Sequence, residues 1–176
     1  LVTGGSLGAL HVNESMTGAA DALPEGAQVV HLTGRGKDEP VRAAVEAAGC
    51  SDRWHVIDYL TTMEDALAVA DLVVCRSGAG TVAEMEALGL PCIYVPLPIG
   101  NGEQRLNAAD HVAAGGAQLI DDKDFTADFV RSNVFPLLGS ARLADMVAAS
   151  QSLGRAGAAR ALADLALEQV KESGHE

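Results

Sequence analysis

Basic residues are scarce: 12 lysines and arginines face 24 aspartates and glutamates, giving a formal charge of −12. That balance excludes sequence-independent binding to nucleic acid or to an anionic lipid surface, both of which select basic patches. Any contact with a membrane is therefore expected to run through a partner or another domain. Aromatics are only 3% of the chain, so the hydrophobic 48% is carried by small and branched aliphatics. Such residues suit helices packed on a parallel sheet. Cysteine is also rare, with Cys50, Cys75 and Cys92 odd in number and without C-x-x-C spacing. A disulfide framework is excluded, and buried thiols in a reducing cytosol are expected. No apolar run approaches ~18 residues, and no segment has the pattern of a signal peptide. The chain also lacks a P-loop, a G-x-G-x-x-G fingerprint and a G-x-S-x-G elbow, and its five histidines show no metal-ligand spacing.

What remains is a regular alternation of short apolar runs and helical patterns, the signature of βαβ units. Strands are predicted near 1–3, 27–32, 53–57, 71–75, 91–95 and 117–120. Helices are predicted near 8–22, 38–48, 63–69, 81–88 and 103–114, and beyond Asp121 near 126–136, 140–149 and 155–171. The expected fold is α/β, a Rossmann-like three-layer domain with a parallel sheet of about six strands. One domain is expected over 1–171, with a disordered tail at 172–176. Leu1 already stands in the first expected strand, so the chain is expected to be a fragment of something longer.

Two glycine-rich turns each follow an expected strand and open an expected helix. In the second, Arg76-Ser77-Gly78-Ala79-Gly80-Thr81, the glycines allow close approach of a ligand and the first N–H groups of the helix point at an anion. Arg76 would add a planar set of donors, and Glu84 one turn later would accept hydrogen bonds from sugar hydroxyls. The same Thr81 and Glu84 also fit a capping box, in which both merely satisfy helix-end N–H groups. In the first turn, Thr3-Gly4-Gly5-Ser6-Leu7-Gly8-Ala9, Ser6 either offers its hydroxyl and neighbouring N–H groups to an anion or serves as an N-cap. Two such turns facing one crevice at the carboxyl ends of the strands suggest a diphosphate, typically part of a nucleotide.

Other candidates carry two readings each. Gln104 and Asn107 share a helix face and could both reach a polyhydroxyl ligand, or form a solvated helix start. Asp122-Lys123-Asp124 has the D-x-D form of some metal-holding transferases, but an ordinary acidic turn is expected. His11 and His31 are expected to be structural or solvated, and Trp54 is expected in the core.

The ordered set of Gly4-Gly5-Ser6-Leu7-Gly8-Ala9, His31-Leu32-Thr33-Gly34, Cys75-Arg76-Ser77-Gly78-Ala79, Thr81-Val82-Ala83-Glu84 and Gln104 with Asn107-Ala108 closely resembles the MurG family. These peptidoglycan N-acetylglucosaminyltransferases convert lipid I to lipid II with two Rossmann-like domains of the GT-B type, and the likeness covers the carboxyl-terminal, donor-binding half. The resemblance implies that Ser6 and the turn Ala79, Gly80, Thr81 hold the diphosphate of UDP-N-acetylglucosamine, with Arg76 nearby. It further implies that Glu84 takes the ribose hydroxyls, the Leu60 backbone reads uracil and Gln104 meets the sugar. Leu7 and Glu103 stand where glutamine is common, and Gly80 where leucine is common. No metal and no cofactor are implied, and the catalytic base and the lipid I site are expected in an absent amino-terminal domain. The expected location is the bacterial cytoplasm, with the full-length protein peripheral on the cytoplasmic face of the membrane. Alternatives are another GT-B UDP-sugar transferase, a UDP-N-acetylglucosamine 2-epimerase-like domain, or a nucleotide-binding module without chemistry.

Overall fold

The computed structural model describes residues 1–5, 9–99 and 101–154. Six strands alternate with helices: β1 (Val2–Thr3), α1 (Leu10–Thr17), β2 (Val29–Leu32), α2 (Asp38–Ala47), β3 (Trp54–Ile57) and α3 (Met63–Ala68) form the first half. The second half runs β4 (Val73–Cys75), α4 (Ala79–Leu88), β5 (Cys92–Tyr94), α5 (Glu103–Asn107), α6 (Ala109–Ala113) and β6 (Ala117–Leu119). Two further helices, α7 (Ala127–Phe129) and α8 (Ala141–Leu153), follow.

All strand pairs are parallel, in the order β3-β2-β1-β4-β5-β6. The sequence moves outward from β1 through β2 to β3, then returns to the other side of β1 at β4. That reversal leaves a crevice beyond the carboxyl ends of β1 and β4, where ligands of open α/β sheets bind. The inner strands β1, β4 and β5 are buried on both faces, whereas the edge strand β3 exposes His55. Val74 and Ile93 join α1, α2 and the segment Phe125–Met146 on one side, while Val73, Cys75, Cys92 and Tyr94 meet α4 and α6 on the other. The three-layer arrangement expected from the aliphatic runs is therefore present. All three cysteines are free and buried, as expected.

Several boundaries differ from the sequence reading. The helix predicted over 103–114 breaks at Ala108 into α5 and α6. The stretch 126–136 is three α-helical residues, a π turn over Val130–Val134 and a 3₁₀ turn over Phe135–Leu137 that carries Pro136. Proline lacks the N–H that a continuing α-ladder needs. The expected helix 155–171 and tail 172–176 lie outside the described residues.

His31 is wholly buried in β2 and is structural, as expected. Its Nδ1 accepts from Trp54 Nε1–H at 3.2 Å, so the ring proton sits on Nε2 and is donated to Asn13 Oδ1 at 3.0 Å. Burial pulls its pKa from 6.5 down to about 3. Between those values the unfolded chain binds a proton that the folded chain refuses. Stability is therefore complete above about pH 6.5 and falls as the pH drops, by up to about 1.4 kcal/mol per pH unit. Burial moves His111 in the same direction. Urea midpoints taken at about pH 8 and about pH 5 should show the loss; a flat profile would contradict it.

Candidate functional site

The crevice at the switch point has a volume of about 690 Å³. Its floor is Thr3 and Cys75, at the ends of β1 and β4, with Gly4 and Gly5 continuing from β1. Gly5 has φ of +77°, a left-handed conformation that a side chain would strain. One half of the wall is largely apolar, with Leu32, Tyr59, Leu60 and Met63 beyond β2 and β3. The opposite half carries Arg76, Thr81, Glu84 and Gln104 from the β4–α4 turn and from α5. Five predicted site residues, Leu60, Arg76, Thr81, Glu84 and Gln104, thus converge on one space. Ala79 and Gly80 are exposed on the first turn of α4 between lining residues Gly78 and Thr81, and Ser6 lies outside the described residues.

The start of α4 decides between two readings of its turn. The helix begins at Ala79, two residues earlier than predicted, with extended Gly78 (φ −63°, ψ 149°) as its N-cap and no side-chain cap. Thr81 therefore sits within the first turn, and the capping box is absent. The first helical bond runs from Val82 N–H to Gly78 O at 2.9 Å, so the N–H groups of Ala79, Gly80 and Thr81 have no ladder partner. Three free donors and the positive end of a ten-residue helix meet at the crevice. α1 starts at Leu10 with Ala9 as its N-cap, and the N-cap reading of Ser6 lies outside the described residues.

Gly80 has open space where a Cβ would stand. Gly80→Ala should stabilise the chain by about 0.5–1 kcal/mol, since alanine suits a helix and nothing obstructs it. A thermal melt checks this.

Amides near the crevice divide their work. Gln104 Oε1 accepts from Leu97 N–H at 2.9 Å, which fixes the Pro96–Ile99 loop and leaves the amide NH₂ available. Asn107 instead donates to Ser77 O at 3.1 Å, tying α5 to the β4–α4 turn. The sugar-reaching reading of Asn107 is thus replaced by a strut. Arg76 is also held. Its Nη1 donates to Val95 O at 3.0 Å, Pro96 O at 3.1 Å and Asp122 Oδ1 at 2.5 Å.

Asp122 lies in the expected acidic turn, a 3₁₀ segment over Asp122–Asp124, and its ion pair with Arg76 was missed from sequence. His11 Nδ1 stands 3.0 Å from the other carboxylate oxygen, a close contact without hydrogen-bond alignment. Tyr59 was also missed as a wall residue in its own right; the Arg35 guanidinium lies 3.9 Å over its ring. Among the described residues no group of three or more His, Cys, Asp or Glu could hold a metal ion.

Residues 1–162 match the glycosyltransferase family 28 C-terminal domain. This chain belongs to glycosyltransferase family 28. The family 28 chain is 46% identical over 172 residues to the UDP-N-acetylglucosamine–N-acetylmuramyl-(pentapeptide) pyrophosphoryl-undecaprenol N-acetylglucosamine transferase of Paenarthrobacter aurescens, covering 97% of this chain and 46% of that protein. The protein of the same name from Bifidobacterium adolescentis is 50% identical over 151 residues, covering 78% and 38%. The chain spans about half the length of the curated relatives it matches. Among solved structures, Acinetobacter baumannii MurG superposes with a TM-score of 0.83 at 28% identity, over 93% of this chain and 48% of that one. The family 28 chain therefore has the fold of one half of a GT-B transferase. A putative UDP-N-acetylglucosamine 2-epimerase from Listeria monocytogenes shares that fold at a TM-score of 0.69 and 19% identity, over 97% and 45%.

Proposed function

We propose that this chain is the donor-binding half of the transferase that moves N-acetylglucosamine from UDP-N-acetylglucosamine to lipid I, forming lipid II in bacterial peptidoglycan synthesis. The observation that carries the reading is the crevice itself, which brings together an apolar half, free helix N–H groups, and the polar side chains of Glu84 and Gln104. The names of its relatives supply the donor and the acceptor. In this reading the domain spans 1–171, uracil lies against Tyr59 and Leu60, and Glu84 accepts from the ribose. The diphosphate sits over Ala79, Gly80 and Thr81, Ser6 is a further ligand to it, and the Gln104 NH₂ turns toward the sugar.

The transfer inverts the anomeric centre: the acceptor's C4 hydroxyl attacks, the bond to the diphosphate oxygen breaks, and UDP leaves with the electron pair. Negative charge grows on that oxygen, so donors already aimed at it lower the barrier. The three free N–H groups, the α4 dipole and Arg76 are this chain's share. The base that takes the hydroxyl proton and the lipid site belong to an amino-terminal half, which also mediates contact with the cytoplasmic face of the membrane. No helix among the described residues is long and apolar enough to cross a membrane.

The expected result is that the chain alone binds UDP-N-acetylglucosamine and transfers nothing, and that supplying an amino-terminal half restores transfer. Turnover by the chain alone would overturn the division of labour.

A further inference from the structure

Arg76 is the sole lysine or arginine among the described residues that line the crevice, where Asp58 and Glu84 also stand. The sign of the local field therefore depends on whether its charge is compensated. One edge of the guanidinium is spent, because Nη1 holds two backbone carbonyls and Asp122. Nε, by contrast, is buried with no hydrogen-bond partner. The Arg76 and Asp122 side chains are only 13% and 16% exposed, so solvent screens their pairing weakly. Asp122 is itself held at its second oxygen by the His11 contact.

Resting on the donor-site reading, we propose that Asp122 is a positioning residue that sets donor against product affinity by partly discharging Arg76. The chemistry asks for such a device. The diphosphate of a UDP-sugar is substituted at both ends, whereas released UDP exposes a terminal phosphate whose second ionisation lies near pH 6. At neutral pH the product carries about one more negative charge than the donor, so an uncompensated Arg76 would hold the product harder. Asp122 lowers the field felt by both ligands, and the more highly charged one loses more. Asp122 also fixes the plane of the fork.

The test is calorimetric titration of the chain with UDP and with UDP-N-acetylglucosamine at about pH 8, for wild type, Asp122→Asn and Asp122→Ser. Both variants remove the charge, and the second keeps the test open where the first fails to fold. Charge removal should tighten UDP by about 3- to 10-fold, the scale of one partly screened charge, and the donor by clearly less. The affinity ratio of UDP to donor then rises. In an Arg76→Gln background the same substitution should leave that ratio unmoved. Equal weakening of both ligands, or an unchanged ratio with wild-type binding intact, would overturn the inference and leave Asp122 a strut. A wild-type chain that binds neither ligand would overturn the donor-site reading, and this inference with it.

Discussion

Glu84→Ala should weaken UDP binding by about 100-fold while leaving the melting temperature of the unliganded chain unchanged. Glu84 is exposed on α4 and lines the crevice, and it belongs to no capping box because the helix starts at Ala79. Its carboxylate is thus free to accept from two neighbouring ribose hydroxyls. Hydrogen bonds to an ionised group contribute about 1.5 kcal/mol each, and two of them amount to about 100-fold in affinity. Glu84→Gln keeps an acceptor without the charge and should fall between, near 10-fold. Calorimetry on the three proteins, paired with thermal melts, checks both halves of the statement. A nucleotide-sensing module that grips elsewhere predicts unchanged affinity, and a structural role predicts lost stability.

Gly116→Ala should destabilise the fold by about 3 kcal/mol or more. A Cβ at Gly116 would stand 2.5 Å from Ser150 Oγ and 2.6 Å from His111 Cδ2 and Nε2, closer than real contacts allow. Those atoms belong to a buried relay whose proton positions are fixed by its end. Ser150 donates to Gly116 O at 3.2 Å, so it accepts from His111 Nε2–H at 2.8 Å, and His111 Nδ1 in turn accepts from Tyr94 Oη–H at 3.0 Å. The relay links β5, α6 and α8. Pushing it apart leaves buried polar groups unpaired, each at a cost of about 1–3 kcal/mol. Urea denaturation measures the effect, and a midpoint close to wild type would contradict the packing described.

Much of this architecture could be read along the chain because parallel strands buried on both faces announce themselves as short aliphatic runs. All six appear within two residues of where those runs lie. Strand order was not legible: nothing in Leu1–Thr3 says that it pairs with both Val29–Leu32 and Val73–Cys75. The glycine turns pointed to the crevice because an anion site of this kind is local, built from a strand end and the helix that follows. Helix starts were harder. Thr81 and Glu84 have the spacing of a capping box, yet extended Gly78 begins the helix earlier, a choice made by tertiary placement of the turn.

Long-range pairing left no local mark at all. Asp122 lies 46 residues from Arg76, and Asn107 reaches back 30 residues to Ser77, so neither contact has a sequence spacing to betray it. The amide and acidic side chains were visible as candidates. Which of them face a ligand and which brace the loops that do was settled only by the fold.

The central claim is that the crevice between β1 and β4 reads a uridine diphosphate. Calorimetric titration of the chain with UDP, GDP, ADP and TDP tests it most directly. UDP should bind most tightly, with the purine nucleotides weaker, because the donor-site reading lays the single ring of uracil against Tyr59, Leu60 and Met63. Equal affinity for all four, or a preference for a purine, would contradict the account.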